Sequence, residues 1–288
     1  ILIKKIIIEN NYLKITSKNN ALVKKFRSFK NGSFSKDKDT FCIEGTHLIE
    51  EFLNSGNNPL KIMATEKWLL KNKELSNRID QSAVVIVPDK VLASAVTTKN
   101  PDGVAALVET ASIPNPLLND EDDLILVLDR IQDPGNMGNL FRTALATGVN
   151  QIILAGGAHP LSQKVLRSSC GAVFHLPFKR FDGSEQEIIN SLLKFLSDLS
   201  NSRFKIFSTS SHNNNSKKSS KPYWDVDWTK RTALILGNEG QGVHKKILEA
   251  FNETISIPHS ELVESLNVAC VAVPLLLERK RVAYTSNT

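Results

Sequence analysis

The 288-residue sequence predicts an α/β protein, with a larger C-terminal parallel-sheet domain after a smaller N-terminal α/β domain. Over the C-terminal half, uninterrupted apolar runs alternate with helical patterns, which is typical of parallel strands covered by helices on both faces. Residues 113–122 are rich in Pro, Asn and acidic residues and lack periodicity, which indicates a linker between the two domains.

The N-terminal domain is expected to span residues 17–112, preceded by an extension of residues 1–16. Its helices are predicted from amphipathic spacing at 19–29 and 47–55. Its strands are predicted from short apolar runs closed by Pro or Gly turns, at 40–44, 61–64, 84–87 and 102–107.

The formal net charge of +6 is concentrated in this domain. Residues 1–112 contain 17 Lys and Arg against 12 Asp and Glu, whereas the remaining residues contain 19 against 18. Such a surplus suits a domain that contacts phosphates, although a solvated lysine-rich surface fits the composition equally well.

The composition also limits the class of protein. No apolar run approaches the roughly 18 residues needed to span a membrane, and no secretory signal is recognisable. The three cysteines are scattered, which argues against both a disulfide framework and a zinc site. We expect a cytoplasmic protein without a bound metal.

The C-terminal domain, residues 123–288, is predicted to alternate strands with helices. The predicted strands lie at 124–128, 151–155, 204–208 and 233–236, and two of the helices at 137–147 and 184–198. The Ser-, Asn- and Lys-rich residues 209–221 are expected to form a surface loop.

The first segment with functional residues follows the strand that ends at Asp129. A Pro-Gly turn is expected there, with Asn136 as the cap of a helix and Arg142 one and a half turns further on. A dinucleotide-binding loop is the rival interpretation. It is disfavoured because only Gly135 and Gly138 are present where such a loop needs three glycines.

Two further segments contain small and polar residues after apolar runs. The strand at 233–236 leads directly into three glycines and Glu239, an arrangement that permits close backbone approach to a ligand but also fits an ordinary turn. Near the C-terminus, Ser265 and Asn267 precede an apolar helix that is predicted to run to about Leu277.

In this order, the three segments resemble the SpoU–TrmH family of RNA 2′-O-ribose methyltransferases. The resemblance covers about residues 17–281 and includes Arg27, the segment 43–45 and the segment 164–171. The motif residues that match are Asn136, Gly138, Arg142 and Ala144 in the first motif, Gly237, Glu239 and Gly242 in the second, and Ile257, Pro258, Ser265, Leu266, Asn267 and Val268 in the third.

The resemblance implies a trefoil-knotted catalytic domain that binds S-adenosylmethionine and an N-terminal domain that binds RNA. The cofactor-binding residues that it implies are Leu236, Gly237, Gly242, Ile257 and Leu266. The catalytic residues that it implies are Arg142, Asn136, Glu239, Ser265 and Asn267. The RNA-binding residues expected in the N-terminal domain are Arg27, Lys24 and Lys25.

The family assigns proton removal to the position of Arg142, which is difficult to reconcile with an arginine pKa above about 12. Alternatively, Arg142 holds an RNA phosphate or the developing alkoxide while Glu239 or water takes the proton. Ribosomal RNA is the favoured substrate because of the separate N-terminal domain. The alternatives are a tRNA methyltransferase and a catalytically silent RNA-binding protein.

The resemblance also implies a homodimer through the C-terminal helix. The C-terminal helix has more apolar residues than one face of the sheet can cover. They are Val268, Val271, Leu275 and Leu276. Three positions depart from the family: His259 and Glu261 replace Met and Gly, and Val273 replaces a glycine ahead of Pro274. These departures are expected to affect cofactor affinity and the dimer interface.

Overall fold

The computed structural model describes residues 12–31, 39–210 and 220–286. They form two compact units. The N-terminal unit comprises the described residues within Ile1–Ile113 together with Leu161–Phe174, and the C-terminal unit those within Pro114–Pro160 and His175–Thr288.

The N-terminal unit contains a five-stranded sheet in the order β1-β4-β3-β5-β2. Its strands are β1 (Leu13–Lys14), β2 (Thr40–Glu44), β3 (Lys61–Ala64), β4 (Val84–Ile86) and β5 (Val104–Glu109). Its first helices are α1 (Ala21–Ser28), α2 (Thr46–Asn54), α3 (Glu66–Lys71), α4 (Lys73–Asn77) and α5 (Asp89–Ala95). The expected extension of residues 1–16 therefore contributes a strand to this sheet, because β1 pairs with β4.

The segment Leu161–Phe174 belongs to the N-terminal unit although it follows two strands of the C-terminal sheet in the chain. Its helix α6 (Gln163–Ser168) contacts β2, where the Gln163 side-chain amide donates to the Cys42 carbonyl at 2.6 Å. Phe174 is buried and meets the Phe52 ring edge-on at 5.3 Å. The sequence does not indicate that this segment joins the N-terminal unit, because an apolar residue can be buried in the hydrophobic core of either unit.

The first helix of the C-terminal unit is αA (Pro134–Thr147), which precedes α6 in the chain. The later helices are α7 (Glu185–Asn201), α8 (Lys245–Ala250) and α9 (Val268–Ser286). The strands are β6 (Leu124–Asp129), β7 (Gln151–Ala155), β8 (Phe178–Phe181), β9 (Lys205–Thr209), β10 (Lys221–Pro222), β11 (Thr232–Leu236) and β12 (Thr254–Ser256).

These seven strands form one sheet in the order β10-β12-β9-β11-β6-β7-β8, and every neighbouring pair is parallel. The central strands β6 and β11 are buried along their whole length. The predicted α/β fold with a parallel C-terminal sheet is confirmed. Because the strands are parallel, the segments that follow β6, β11 and β12 leave the sheet at the same edge.

Helix αA corrects one sequence-based expectation. The helix begins at Pro134, and its N-cap is Asp133, whose carboxylate accepts from the Asn136 amide at 2.8 Å. Asn136 is therefore a residue of the first turn and not the cap. Proline fits the first helical position because its missing N–H would have no partner within the helix there.

Helix α9 is longer than expected and runs through Pro274 to Ser286. It packs against αA, and Val268, Leu275 and Leu276 are buried within the unit. These residues, from which a dimer interface was expected, are therefore not available to a partner. The expected loop at 209–221 lies largely outside the described residues, as does the apolar run at 1–8.

Among the helices that the structure describes, none combines the length and the apolar character needed to cross a bilayer.

The packing of Phe174 leads to a test of the chain crossing. Phe174→Ala should cost about 3–5 kcal/mol because it removes a fully buried ring. In hydrogen exchange, protection should fall in the N-terminal strands β2 and β5 and stay unchanged in β6 and β7. Loss of protection confined to β6 and β7 would contradict the assignment of this segment to the N-terminal unit.

Candidate active site

A tight glycine turn follows the carboxyl end of β11. A Cβ on Gly237 would lie 2.2 Å from the Gly242 carbonyl carbon and from the Val243 nitrogen, so no side chain fits there. Asn238 and Gly242 exchange two main-chain hydrogen bonds, and Gly242 has a φ of +69°. The glycines that follow the strand are therefore required by a close approach of backbone to backbone.

Three polar side chains connect the three motifs through hydrogen bonds. The Asn267 side-chain amide donates to Asn136 Oδ1 at 2.9 Å, and Asn136 Nδ2 donates to Glu239 Oε1 at 3.1 Å. Glu239 also accepts from the main-chain amides of Gln132 and Asp133, each at 3.1 Å. We call Glu239, Asn136 and Asn267 the Asn–Glu bridge, since they hold the β6, β11 and α9 segments together.

The Glu239 carboxylate is strongly hydrogen-bonded. Burial alone would raise its pKa. The hydrogen bonds from the Gln132 amide, the Asn136 side chain and the Asp133 amide have the larger combined effect and hold the pKa below its ordinary value of 4.5. A carboxylate with a lowered pKa stays ionised at neutral pH and is a weak proton acceptor.

A cavity of about 370 Å³ lies beside this bridge. Its volume is at the lower end of the range found for small-molecule sites. Seven of the predicted catalytic and cofactor-binding residues line it: Gly237, Glu239, Gly242, Ile257, Ser265, Leu266 and Asn267. The expected cofactor residue Leu236 is buried in β11 and does not line the cavity.

The cavity combines the features that a mid-sized ligand with polar and apolar parts requires. Apolar side chains of Ile257 and Leu266 face glycine backbone at Gly237 and Gly242 across it. The residues present therefore fit a ligand held by main-chain polar groups and apolar contacts. Within the described residues, no group of three or more His, Cys, Asp or Glu side chains could hold a metal ion.

Arg142 is separated from the Asn–Glu bridge. It lies six residues after Asn136 on αA, about 9 Å along the helix axis, and its side chain is exposed. It does not line the cavity. The structure thus places Arg142 in the same unit as the cavity but on an open surface, where a macromolecule can reach it.

The expected RNA-binding residues lie on α1 of the N-terminal unit. Lys24 is exposed and Lys25 half-buried. The Arg27 guanidinium donates to the Ser94 carbonyl at 3.1 Å, the Ser94 hydroxyl at 3.1 Å and the Lys18 carbonyl at 3.0 Å. Arg27 thus has a structural role in connecting α1 to α5.

The two unusual residues after Pro258 differ in position. His259 lines the cavity, and its Nδ1 lies 2.7 Å from the Ile257 carbonyl. Glu261 is exposed and is not a lining residue. Only the His259 replacement therefore lies where it could affect a ligand in the cavity directly.

Sequence reasoning missed the pair Asp129 and Arg130 at the end of β6. Asp129 is buried and accepts from Arg130 Nε at 2.9 Å and from the His244 amide at 2.7 Å. Arg130 has a φ of +56°, and it also donates to Gln241 Oε1 at 2.9 Å and to the Gly242 carbonyl at 3.3 Å. One guanidinium therefore connects β6 to the turn that lines the cavity. An Asp-Arg pair directly after a buried strand was the available signal.

Comparisons with known proteins agree with this geometry. The SpoU rRNA Methylase family model matches residues 123–277, and the MRM3-like substrate binding domain model matches residues 20–106. The chain is 35% identical over 280 residues to an uncharacterized tRNA/rRNA methyltransferase of Synechocystis, covering 95% of this chain and 96% of that relative.

Two further relatives carry more specific names. The 23S rRNA (guanosine(2553)-2′-O)-methyltransferase RlmP of Bacillus subtilis is 29% identical over 263 residues, covering 91% of this chain and 97% of the relative. The crystal structure of the SpoU methyltransferase AviRb from Streptomyces viridochromogenes, in complex with AdoMet, matches with a TM-score of 0.73 and 26% identity, covering 92% and 100% of the two chains. The chain belongs to the SpoU rRNA methylase family.

The lowered pKa of Glu239 leads to a pH-dependent stability. Its ionised form is favoured in the folded state, so its contribution is present above pH 4.5 and is lost as the pH falls through the lower folded-state pKa. Glu239→Gln should therefore lower the melting temperature at pH 7, and the difference from the native chain should shrink towards pH 3. An equal difference at both pH values would contradict this role.

The Arg130 contacts give a second prediction. Arg130→Lys keeps a positive charge beside Asp129 but cannot bond Asp129, Gln241 and Gly242 together, so affinity for the cavity's ligand should fall about tenfold. The matched control is Arg231→Lys, at the other edge of the same sheet, where the guanidinium bonds the Asp122 and Asn119 carbonyls. Calorimetry should show a change for the first variant only, and equal losses would refute the assignment.

Proposed function

We propose that this chain transfers a methyl group from S-adenosylmethionine to a ribose 2′-hydroxyl of ribosomal RNA. The observation that carries the proposal is the Asn–Glu bridge, which links the segments of all three family motifs, beside a cavity lined by residues of the second and third motifs. RlmP, a relative over nearly the whole chain, is a 23S rRNA 2′-O-methyltransferase, and the structurally similar AviRb binds AdoMet.

S-adenosylmethionine supplies a methyl group that is already activated by its sulfonium. The residues that would hold it are those that line the cavity, above all the main chain around Gly237, Gly242, Ile257 and Leu266. The Asn–Glu bridge fixes the spacing of the Gly237 turn and the start of α9, which are the two walls of that cavity. The enzyme's task is then to align the ribose oxygen and remove its proton.

The structure favours a division of labour between Arg142 and Glu239. Glu239 already accepts three hydrogen bonds and has a lowered pKa, which supports a positioning role and leaves proton acceptance to water. The guanidinium of Arg142 offers hydrogen-bond donors and a positive charge, so we assign it to the RNA phosphate or to the developing alkoxide. Its exposure on αA supports contact with a macromolecular substrate.

The N-terminal unit is proposed to dock the RNA. Its model match is to a substrate-binding domain, and residues 1–112 carry five of the six excess positive charges. In this proposal Lys24 and Lys25 contact RNA phosphates, whereas Arg27 acts by holding α1 in place. A protein that acts on ribosomal RNA in this way would work in the cytoplasm.

A tRNA substrate is the second candidate, because the relative from Synechocystis is named a tRNA/rRNA methyltransferase. The experiment supplies labelled S-adenosylmethionine with ribosomal RNA or tRNA from cells that lack this gene. Label should enter ribosomal RNA at one ribose. Arg142→Ala should reduce the rate by about 10²–10⁴ without changing cofactor affinity. Label in tRNA alone would contradict the choice of substrate, and no label in either would support a silent RNA-binding protein.

We also propose a homodimer through the outer face of α9. Val273, Leu277 and Tyr284 are 40%, 50% and 71% exposed, and their spacing of four and seven residues places them on one helical face. An exposed apolar stripe of this kind is typical of a protein–protein interface. A second copy of the chain is the occupant that family resemblance implies.

This interface gives a mass prediction. Light scattering of the native chain should return twice the monomer mass of 31.9 kDa, and Leu277→Arg should return the monomer mass because it places a charge within the stripe. Leu117→Arg changes a more exposed leucine outside α9 and should leave the dimer intact. A native chain of monomer mass would overturn the proposal.

A further inference from the structure

An exposed tryptophan lies near the cavity and has no role in the function described so far. The chain has three tryptophans. Trp68 and Trp228 are 2% and 1% exposed, whereas Trp224 is 53% exposed. Tryptophan presents a large apolar surface together with a polar N–H group and is enriched at binding interfaces, so an exposed tryptophan close to a cavity is a candidate contact for a ligand.

The position of Trp224 follows from the register of the sheet. Strand β10 is parallel to β12, and Pro222 is the partner of Ser256. Ser256 and the next residue, Ile257, line the cavity. Since parallel strands leave a sheet at the same edge, the turn Tyr223–Asp225 lies beside the chain that enters the cavity wall.

The turn that carries Trp224 is held in place by contacts with Trp228. The Trp228 indole donates to the Tyr223 carbonyl at 2.7 Å, and the Trp228 ring packs against Phe207 at 6.0 Å. The rings of Tyr223 and Trp224 meet edge-on at 5.0 Å. Trp224 is therefore a preorganised ring, and a partner that stacks on it loses little further conformational entropy.

A basic side chain next to the turn can contact a phosphate. Lys221, just before the turn, is exposed. Asp225 and Asp227 follow it, but Asp227 accepts from Thr229 and lies 3.9 Å from Lys230.

We propose that Tyr223 and Trp224 form a stacking platform for an unpaired RNA base next to the methyl-transfer site. Aromatic side chains bind single-stranded RNA by stacking on its bases, with lysines contacting the neighbouring phosphates. The platform requires an unpaired base because the faces of bases within a duplex are covered by their neighbours. The proposal rests on the proposed RNA methyltransferase function and adds the class of RNA that this site accepts.

The test uses the full chain and two probes, an oligoadenylate of about 12 nucleotides and a duplex of the same length. In the free protein, acrylamide should quench Trp224 emission. The oligoadenylate should protect it, and neither the duplex nor S-adenosylmethionine should. Trp224→Ala should weaken oligoadenylate binding by about 5- to 100-fold, equally at low and high salt, because stacking is not screened.

Three variants make the result specific. Trp224→Phe keeps a stacking ring and should retain most of the affinity. Lys221→Ala should weaken binding mainly at low salt. Leu117→Ala, at another exposed apolar residue of the C-terminal unit, should bind the oligoadenylate as the native chain does. None of these changes should alter S-adenosylmethionine affinity.

Several outcomes would overturn the platform. The first is Trp224 emission that acrylamide cannot quench in the free protein. The second is an unchanged oligoadenylate affinity in Trp224→Ala. The third is dissociation of a dimer by Trp224→Ala, which would mean that the ring contacts a second copy of the chain. Failure of the proposed function would be different. It would be seen as a native chain that transfers no methyl group to RNA, whatever happens at Trp224.

Discussion

The candidate site depends on the hydrogen bonds that the Glu239 carboxylate accepts. Two come from main-chain amides at the start of αA and one from Asn136, which in turn accepts from Asn267. Glu239 follows β11, its three donors lie at the start of αA, and Asn267 precedes α9, so this carboxylate connects three segments of the chain, the last of them through Asn136. Without it, the amides at Gln132 and Asp133 would lose their protein acceptor, and the start of αA would no longer be tied to the turn after β11.

Asn267 extends this constraint to the last helix. Its side-chain oxygen accepts from the Ala269 amide at 2.9 Å and so caps α9, while its nitrogen donates to Asn136. Since α9 forms one wall of the cavity and, in our proposal, the dimer interface, a single amide couples both to the Gly237 turn. The chemistry at the ribose oxygen is left to an exposed arginine on αA, which is consistent with a substrate much larger than the cavity.

Much of this arrangement could be predicted from the sequence. The buried strands β6, β7 and β11 appear as continuous apolar runs, and parallel strands bring the residues that follow them to one edge. That argument is enough to expect Asn136, which follows β6, near Gly237 and Glu239, which follow β11. It could not provide the start of αA, because Asp133 and Asn136 are both good caps and only the hydrogen bond from the Asn136 amide to the Asp133 carboxylate distinguishes them.

Other features depend on contacts between residues far apart in sequence. Arg130 adopts a left-handed backbone conformation that most residues avoid, and nothing local predicts its bonds to Gln241 and Gly242. The crossing of residues 161–174 into the N-terminal unit depends on which core buries Phe174. The trefoil knot is likewise a matter of chain threading, and we infer it from family membership.

The central claim is that Asn136 couples Glu239 to Asn267, and a double-mutant cycle tests it most directly. Glu239→Gln removes the charge, and Asn267→Ser keeps an N-cap acceptor for α9 but cannot reach Asn136. The coupling energy is obtained by measuring the S-adenosylmethionine affinity of the native chain, of both single variants and of the double variant. We predict a coupling of about 0.5–3 kcal/mol between two residues that share only Asn136 as a partner. Additive effects, within about 0.3–0.5 kcal/mol, would contradict the account.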